Sequence, residues 1–524
     1  MSSPAISQEN TAVPPRPITQ FFTQSRIRLL ATAVALFLLF NSLFAYVQFG
    51  TDALAGNDGY YHIKMGYLIR QEGLKPDFPW LPLTILNERD FYDHHLLYHA
   101  FLALFAATDP AVDGGAALSR SAKIASVILP SLAFLAIWWL LRGQGVRWAE
   151  LWAIGLFAVS QAFLYRMSMP RAQSASLLIL ALGLHWLLKE RYWLLIPLGF
   201  LYVWTYNAFP LLVVMGGVYL AAALITRQKL VWQAVIFPAL GIGLGLLINP
   251  YFPENISFII NHLLPKIGQS ETRVGNEWYP YRTWTLVENS GFALLAVVAG
   301  ALALGWQKTR MNTATLTILT LTVLFGYMLF QSRRFIEYFP AFALIFLAVS
   351  AAPVLAEWED WLRDKHLNLR FLIPVGLLIL LVYPLQTTLA DGRDAVANSK
   401  PADRYADAAL WLRANSEPGT VVFQTDWDDF TRLFFYNTDA IYTAGLDPTY
   451  LELFDQDLYD EWVDITKGRV ANPSDPIRRH FGGEFVFSDL NHGNFMKKAE
   501  ADPGVVEVYR DEYAVIYEVV VGER

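Results

Sequence analysis

The sequence predicts a polytopic α-helical membrane protein with about eleven transmembrane helices and a C-terminal extracytoplasmic α/β domain. The first reason is composition: 54% of the 524 residues are hydrophobic and only 17% are charged, whereas soluble chains carry about 25% charged residues. The second reason is charge distribution. Residues 391–524 contain 13 Lys and Arg against 26 Asp and Glu, while the rest contain 27 against 21. A basic apolar body joined to an acidic tail is typical of a membrane domain followed by a soluble domain.

The composition also excludes several kinds of chemistry. The chain has no cysteine, which excludes disulfides, cysteine-ligated metal centres and a thiol nucleophile. The tail is acidic, whereas nucleic-acid binding needs clustered Lys and Arg. No nucleic acid partner is therefore expected.

The predicted transmembrane domain covers residues 26–390 and follows a Pro- and Ser-rich segment, 1–25, predicted to be disordered and cytoplasmic. Its first apolar run, Leu29–Val47, is long enough to span a bilayer and has no small-residue cleavage site, so it predicts a retained anchor. Ten further apolar runs lie near 120–141, 149–164, 173–188, 192–206, 210–226, 231–248, 290–306, 313–330, 338–352 and 371–389.

Loop charges give the orientation, because cytoplasmic loops are enriched in Lys and Arg. With a cytoplasmic N-terminus, every predicted inner loop is short and basic. The charged residues are Arg142 and Arg147, Lys189 and Arg191, Arg227 and Lys229, Lys308 and Arg310, and Arg363, Lys365 and Arg370. Eleven spans then place the long loops 48–119 and 249–289 outside, together with the tail. We expect an integral protein of the plasma or inner membrane.

Two outer segments and the tail have recognisable local patterns. Asp93–Ala107 and Pro253–Gly268 are apolar but short, which predicts helices lying on the outer membrane surface. In residues 391–524, the segments VVFQT, EFVFSDL, GVVEVYR and YAVIYEVV predict strands. Helical patterns near 403–415 and 449–468 separate them, so the tail is predicted to be an α/β domain.

The first outer loop holds the densest cluster of carboxylates and imidazoles. Its members are Asp58, His62, Asp90, Asp93, His94, His95 and His99. These groups bind divalent metals or act as general acids and bases. Two other interpretations stay open: Asp58 caps a helix that begins near Tyr60, and the histidines lie on an interfacial amphipathic helix.

The segment Asn57-Asp58-Gly59-Tyr60-Tyr61-His62, directly after the first span, resembles the first metal-binding motif of oligosaccharyltransferase catalytic subunits. The wider layout resembles the GT-C superfamily of multi-spanning, polyprenyl-phosphate-dependent glycosyltransferases. Four later segments add to the resemblance. They are Tyr165–Arg171, Gln269-Ser270-Glu271, the pair Arg333-Arg334, and Asp426-Trp427-Asp428-Asp429-Phe430, which is similar to a shortened acceptor motif.

The resemblance implies sugar transfer from a polyprenyl-linked donor to a protein or glycan acceptor, among membrane lipids. It implies Asp58 and Glu271 as catalytic residues and, with Asp93, as ligands of Mg²⁺ or Mn²⁺. The implied substrate-binding residues are Arg333, Arg334, His94, His95, Arg166, Arg171, Trp427 and Asp428. The two arginines at 333 and 334 would bind the donor phosphate.

The sequence departs from the family at two places. The acidic pair of the second outer loop is replaced by Arg171-Ala172-Gln173-Ser174-Ala175-Ser176, so either His94, His95 or Asp93 substitutes as a ligand or no metal binds. The tail motif lacks the first Trp and the Gly of the family's acceptor motif. Both departures concern recognition of an asparagine sequon in a protein acceptor.

Other functions stay open at this stage. Arg333 and Arg334 could anchor lipid headgroups, Glu271 could be a solvated loop acid, and Trp427 could pack the tail. A catalytically inactive relative that binds lipid-linked glycans or acts as a scaffold is one alternative. A transporter or flippase of lipid-linked sugars is another, although the spans are nearly free of charge.

Overall fold

The computed structural model describes residues 24–263, 275–307, 310–364 and 371–520. Of the N-terminal segment 1–25, predicted to be disordered, only the last two residues are described. Within the described ranges, seven helices are long and apolar enough to cross a membrane. They are Arg26–Gln48, Ala116–Gly143, Pro210–Arg227, Thr283–Trp306, Thr313–Gln331, Phe339–Arg363 and Leu372–Ala397.

The predicted count of about eleven spans is not confirmed. The helices Gln161–Ser168 and Gln173–Leu188 meet at 108° and add an eighth crossing if they count as one broken span. Tyr192–Thr205 and Gln233–Leu247 are apolar but shorter. The predicted span 149–164 is divided between two helices. The first, Ala149–Ile154, ends at Ile154, and Ser160 caps the second by accepting a hydrogen bond from the Phe163 N–H at 3.1 Å.

Glycines let three of these helices approach each other closely. A Cβ atom on Gly216 would lie 2.0 Å from the Ala234 carbonyl oxygen, and one on Gly241 would lie 2.1 Å from the Ile196 carbonyl oxygen. Small residues at helix crossings are the usual basis of such packing in membranes. The second contact lies near the start of the helix Leu195–Thr205, and near the end of this helix Trp204 Nε1 donates to the Gly245 carbonyl at 2.9 Å.

The remaining helices lie in the connections and the tail. In the connections they are Asp58–Glu72, Leu96–Ala103, Pro110–Asp113 and Glu254–Phe258. In the tail they are Ala406–Asn415, Phe430–Tyr436, Thr449–Phe454, Gln456–Thr466, Ser474–Arg479 and Gly493–Ala501. The predicted stretch 449–468 is two helices, because Asp455 is extended and caps the second by accepting a hydrogen bond from the Leu458 N–H.

The tail contains a five-stranded mixed sheet. Its strands are β1 (Val421–Gln424), β2 (Ile441–Tyr442), β3 (Phe485–Asp489), β4 (Val505–Arg510) and β5 (Ala514–Val519), in the order β2-β1-β3-β5-β4. The pairs of β1 with β2 and β3 are parallel, and β5 is antiparallel to β3 and β4. All five residues of β3 are buried, because elements cover both faces of this central strand.

The sheet domain packs directly on the segment 48–119, which the sequence predicts to be the first outer loop. Trp80 Nε1 donates to the Thr438 carbonyl at 2.7 Å, and the Tyr442 N–H donates to the Trp80 carbonyl at 2.9 Å. Arg432 is buried, donates to the Asn57 side-chain oxygen at 3.2 Å, and lies over the Tyr60 ring at 4.2 Å. The tail therefore fixes the segment that contains Asp58.

Candidate functional site

A cavity of about 530 Å³, hereafter the polar cavity, lies between the segment 48–119, the bent helix pair, residues 275–278, the turn after Gln331 and the tail. Seven of the residues predicted from the sequence line it. They are Asp58, His94, His95, Arg166, Arg171, Arg334 and Trp427. Residues up to 369 positions apart in the sequence therefore meet in one place.

The other predicted residues lie elsewhere. Arg333 is outside the polar cavity, where its Nε donates to the Pro280 carbonyl at 3.2 Å and its guanidinium lies over the Tyr281 ring. Asp93 is buried behind the wall and is bonded to His99. Asp428 adjoins the wall, where its carboxylate accepts a hydrogen bond from the Asn57 amide. Glu271 lies outside the described residues.

Glu277 is the centre of the charged wall, and the sequence analysis missed it. Three guanidiniums contact its carboxylate. The nitrogen-to-oxygen distances are 2.9 Å for Arg166, 3.2 Å for Arg171 and 3.6 Å for Arg334. Ser332 Oγ also donates to the Glu277 carbonyl at 2.9 Å, which ties this loop to the turn that carries Arg334.

A second missed carboxylate, Glu337, is fully buried and accepts a hydrogen bond from Arg166 Nε at 3.0 Å. With Asp58, the cluster holds three carboxylates against three guanidiniums. Such a balance is needed because an unpaired charge in a buried site is costly. Glu277 lies six residues after Glu271 in the sequence, and Glu337 lies three residues after Arg334. Closeness in the sequence to these predicted residues could have pointed to both carboxylates.

The electrostatics of Glu277 give a testable prediction. Burial opposes its ionisation, but Arg171, Arg166 and Arg334 outweigh burial and hold its pKa well below the ordinary value of 4.5. Its contribution to stability is therefore present above that ordinary value and is lost as the pH falls below it. Glu277→Gln should lower the free energy of unfolding by about 3 kcal/mol at pH 7, because it leaves buried guanidiniums without a partner.

Thermal unfolding of the detergent-purified protein measures this effect. The difference in midpoint between wild type and Glu277→Gln should be fully present from pH 7 down to about pH 5, and it should shrink as the pH falls from 4.5 towards about 3. The exposed Glu288 provides the matched control, since Glu288→Gln should leave the unfolding midpoint unchanged at every pH. A difference that stayed constant over this pH range would contradict the role assigned to the Glu277 charge.

Asp58 is the first residue of the helix Asp58–Glu72, whose N-cap position is taken by Asn57. Its carboxylate lies 3.2 Å from Arg171 Nη1, and 32% of the Asp58 side chain is exposed. Asp428 lies near Asp58. Burial and the negative charge of Asp58 both raise the pKa of the Asp428 carboxyl. Asp58 is thus the most exposed of the three carboxylates paired with the arginines.

These contacts do not fit the Mg²⁺ or Mn²⁺ ion that the resemblance implies at Asp58. Such hard cations need several carboxylate or carbonyl oxygens around them. Here the Asp58 and Glu277 carboxylates both face the Arg171 guanidinium, at 3.2 Å each. Arginine supplies the positive charge at this part of the wall.

The histidine side of the polar cavity contains a buried hydrogen-bonded chain. His99 Nδ1 lies 2.7 Å from Asp93 Oδ2, and His99 Nε2 lies 2.7 Å from His62 Nδ1. Burial lowers the pKa of His62 and of His95 well below the ordinary value, so both are neutral at pH 7. His62 and His99 belonged to the predicted cluster but had been assigned no role.

The comparisons with known proteins agree with this architecture. No protein-family model matches the chain. A curated relative, dolichyl-phosphooligosaccharide-protein glycotransferase 3 of Archaeoglobus fulgidus, is 24% identical over 250 residues. The match covers 41% of this chain and 28% of the relative. The chain thus spans little more than a quarter of the length of that relative.

Solved structures match over nearly the whole chain. Archaeal oligosaccharyltransferase AglB from Archaeoglobus fulgidus, in complex with an inhibitory peptide and a dolichol-phosphate, has a TM-score of 0.63 at 15% identity and covers 94% of this chain and 74% of its own. ArnT from Cupriavidus metallidurans, bound to undecaprenyl phosphate, has a TM-score of 0.58 at 13% identity and covers 94% and 98%. Seven helices of the described residues are apolar and long enough to cross a membrane, and the chain is an integral membrane protein that has the GT-C fold, as the motif resemblance predicted.

Proposed function

We propose that the protein is a glycosyltransferase that moves a sugar or oligosaccharide from a polyprenyl-phosphate or polyprenyl-pyrophosphate donor to an acceptor. The observation that carries this proposal is the polar cavity itself. Residues from four separate parts of the chain bring Asp58 and three guanidiniums together there. The lipid phosphates in the matched AglB and ArnT structures support the same class of donor.

Arg334 is the arginine best placed to bind the donor phosphate. Its side chain is 23% exposed, against 12% for Arg166 and 16% for Arg171. It also has the longest contact with Glu277, so it is the least engaged of the three by that carboxylate. An arginine donates charge-assisted hydrogen bonds to phosphate in a fixed geometry.

Asp58 is assigned to the acceptor. In this step the Asp58 carboxylate takes the proton of the acceptor hydroxyl or amide, and the acceptor atom forms a bond to the anomeric carbon of the sugar. The bond between that carbon and the phosphate oxygen breaks, and its electron pair stays on the phosphate. Arg334 stabilises the charge that develops there.

The remaining predicted residues are assigned to substrate binding. Trp427 brings an aromatic wall from the tail into the polar cavity, and Asp428 adjoins it. His94 and His95 line the opposite part of the wall, where His94 stacks on Phe258. We assign Trp427 and Asp428 to a protein or glycan acceptor because they come from the tail domain.

A transfer assay tests the proposal. The full chain in lipid nanodiscs is incubated with a panel of polyprenyl-phosphate and polyprenyl-pyrophosphate sugars, and release of the lipid phosphate is measured with the glycosylated product. We expect turnover with at least one donor. Binding of all donors without turnover would favour an inactive relative, and movement of intact donors across a bilayer would favour a transporter.

We also propose that the polar cavity and the tail domain, residues 391–524, face the outside of the plasma or inner membrane. The basic inner loops support this orientation. Because the chain has no cysteine, a single introduced cysteine is its only thiol. In intact cells an impermeant thiol reagent should label Glu417→Cys in the tail and spare Arg310→Cys; the reverse pattern would invert the topology.

A further inference from the structure

Three histidines at the border of the polar cavity have the arrangement of metal ligands. His62, His95 and His99 each offer a ring nitrogen, and these nitrogens lie within 4.8 Å of one another. His62 and His99 are buried, and the rings of His62 and His95 are 4.9 Å apart. His62 and His95 also line the polar cavity, so an ion held by the three would border it.

We propose that His62, His95 and His99 form a zinc site that is separate from the carboxylate position implied by the resemblance. Imidazole nitrogens suit Zn²⁺, whereas Mg²⁺ and Mn²⁺ prefer oxygen ligands. Three protein ligands and one open position is the usual coordination of zinc that contacts a substrate or water. The fourth ligand would come from the polar cavity, because His62 and His95 line it.

Asp93 supplies the orienting contact that such sites require. Its Oδ2 accepts the Nδ1 proton of His99 at 2.7 Å, and its Oδ1 accepts a hydrogen bond from the His95 backbone N–H at 2.9 Å. The first bond fixes the tautomer of His99, so that the Nε2 lone pair points away from Asp93. Metal-binding histidines commonly donate their second ring N–H to a carboxylate in this way. Asp93 is then a positioning residue and not the metal ligand predicted from the sequence.

The three ligand atoms lie within 4.8 Å of one another, so each pair must change its separation by at most about 1.5 Å to share an ion. Nitrogens that share a tetrahedral zinc at about 2.0–2.1 Å are about 3.3 Å apart. The distance from His62 Nδ1 to His99 Nε2 is 2.7 Å, so these rings separate by about 0.6 Å while the His62 proton moves to Nε2. Among the described residues, no partner donates to or accepts from the buried His95 Nδ1. A zinc ion would satisfy that nitrogen.

Metal content of the purified protein tests the site without any transfer assay, so its failure is distinguishable from failure of the proposed function. The full chain is purified through a tag without histidine, stripped with chelator, and reloaded with Zn²⁺ or Co²⁺. We expect about one equivalent of zinc and the intense visible absorption of four-coordinate Co²⁺. His99→Ala should reduce zinc affinity at least tenfold, and Asp93→Asn should reduce it about ten- to a hundredfold.

His480→Ala is the matched control, because His480 is exposed in the tail and pairs with Glu461. It should leave zinc content and the Co²⁺ spectrum unchanged. Wild-type protein that retains no zinc after reloading, or that gives only the weak spectrum of six-coordinate Co²⁺, would overturn the proposal. Unchanged zinc affinity in a folded His99→Ala or Asp93→Asn protein would overturn it too.

Discussion

Asp58→Asn should lower the turnover of sugar transfer by about a hundredfold to ten-thousandfold, the range typical of removing a general base. Asparagine keeps the size and the hydrogen-bonding capacity of the side chain but cannot take a proton from the acceptor. Donor binding should change little, because Arg334 remains in place. The measurement is the turnover number of the transfer assay, with donor binding and the thermal unfolding midpoint determined for the same protein.

The control for Asp58 is Asp90, an exposed acid of the same segment, 48–119, that accepts a hydrogen bond from Asn87. Asp90→Asn should transfer sugar at the wild-type rate. If Asp58→Asn also retained the wild-type rate, the assignment of Asp58 as the base would be wrong. If neither the wild-type protein nor Asp58→Asn transferred sugar, the interpretation as an inactive or purely binding protein would gain support.

Arg334→Ala should reduce donor affinity or turnover by about ten- to a hundredfold. Loss of a hydrogen bond to a charged group costs about 1.5–3 kcal/mol, and each 1.4 kcal/mol is a factor of ten. Arg334→Lys should recover part of the loss, because lysine keeps the charge but cannot present two parallel N–H groups. Donor titration of each variant measures the affinity.

The neighbouring Arg333 makes this test specific. Its guanidinium is held by the Pro280 carbonyl and the Tyr281 ring outside the polar cavity. Arg333→Ala should therefore bind donor and turn over as wild type does. Equal losses in both single variants would point to a general headgroup interaction, and no loss in either would contradict the phosphate assignment.

The sequence could predict the strongly patterned parts of this fold. Long apolar runs such as 120–141 and 313–330 became long apolar helices, and the four predicted tail strands are present. Short apolar segments were harder, because hydropathy does not reveal where a helix breaks. The Ser160 cap and the 108° bend after Ser168 depend on local hydrogen bonds and packing.

The site shows a similar division. Motif resemblance selected Asp58, Arg171 and Arg334, all of which line the polar cavity. It could not choose between Arg333 and Arg334, since adjacent residues on a 3₁₀ turn point about 120° apart. Nor could it find the pairing of Arg166 with Glu337, whose partners lie 171 positions apart and share no periodic pattern.

The contacts of Asn57 have a consequence for how the protein is made. Asp428 and Arg432 bond to the same Asn57 side chain, 371 and 375 positions further along the chain. Synthesis proceeds from the N-terminus, so the membrane helices leave the ribosome before these two partners exist. The segment beside Asp58 therefore reaches its final arrangement only when the tail has emerged and folded. A chain interrupted before Asp428 would be inserted in the membrane and still lack both partners of Asn57, and with them a complete site.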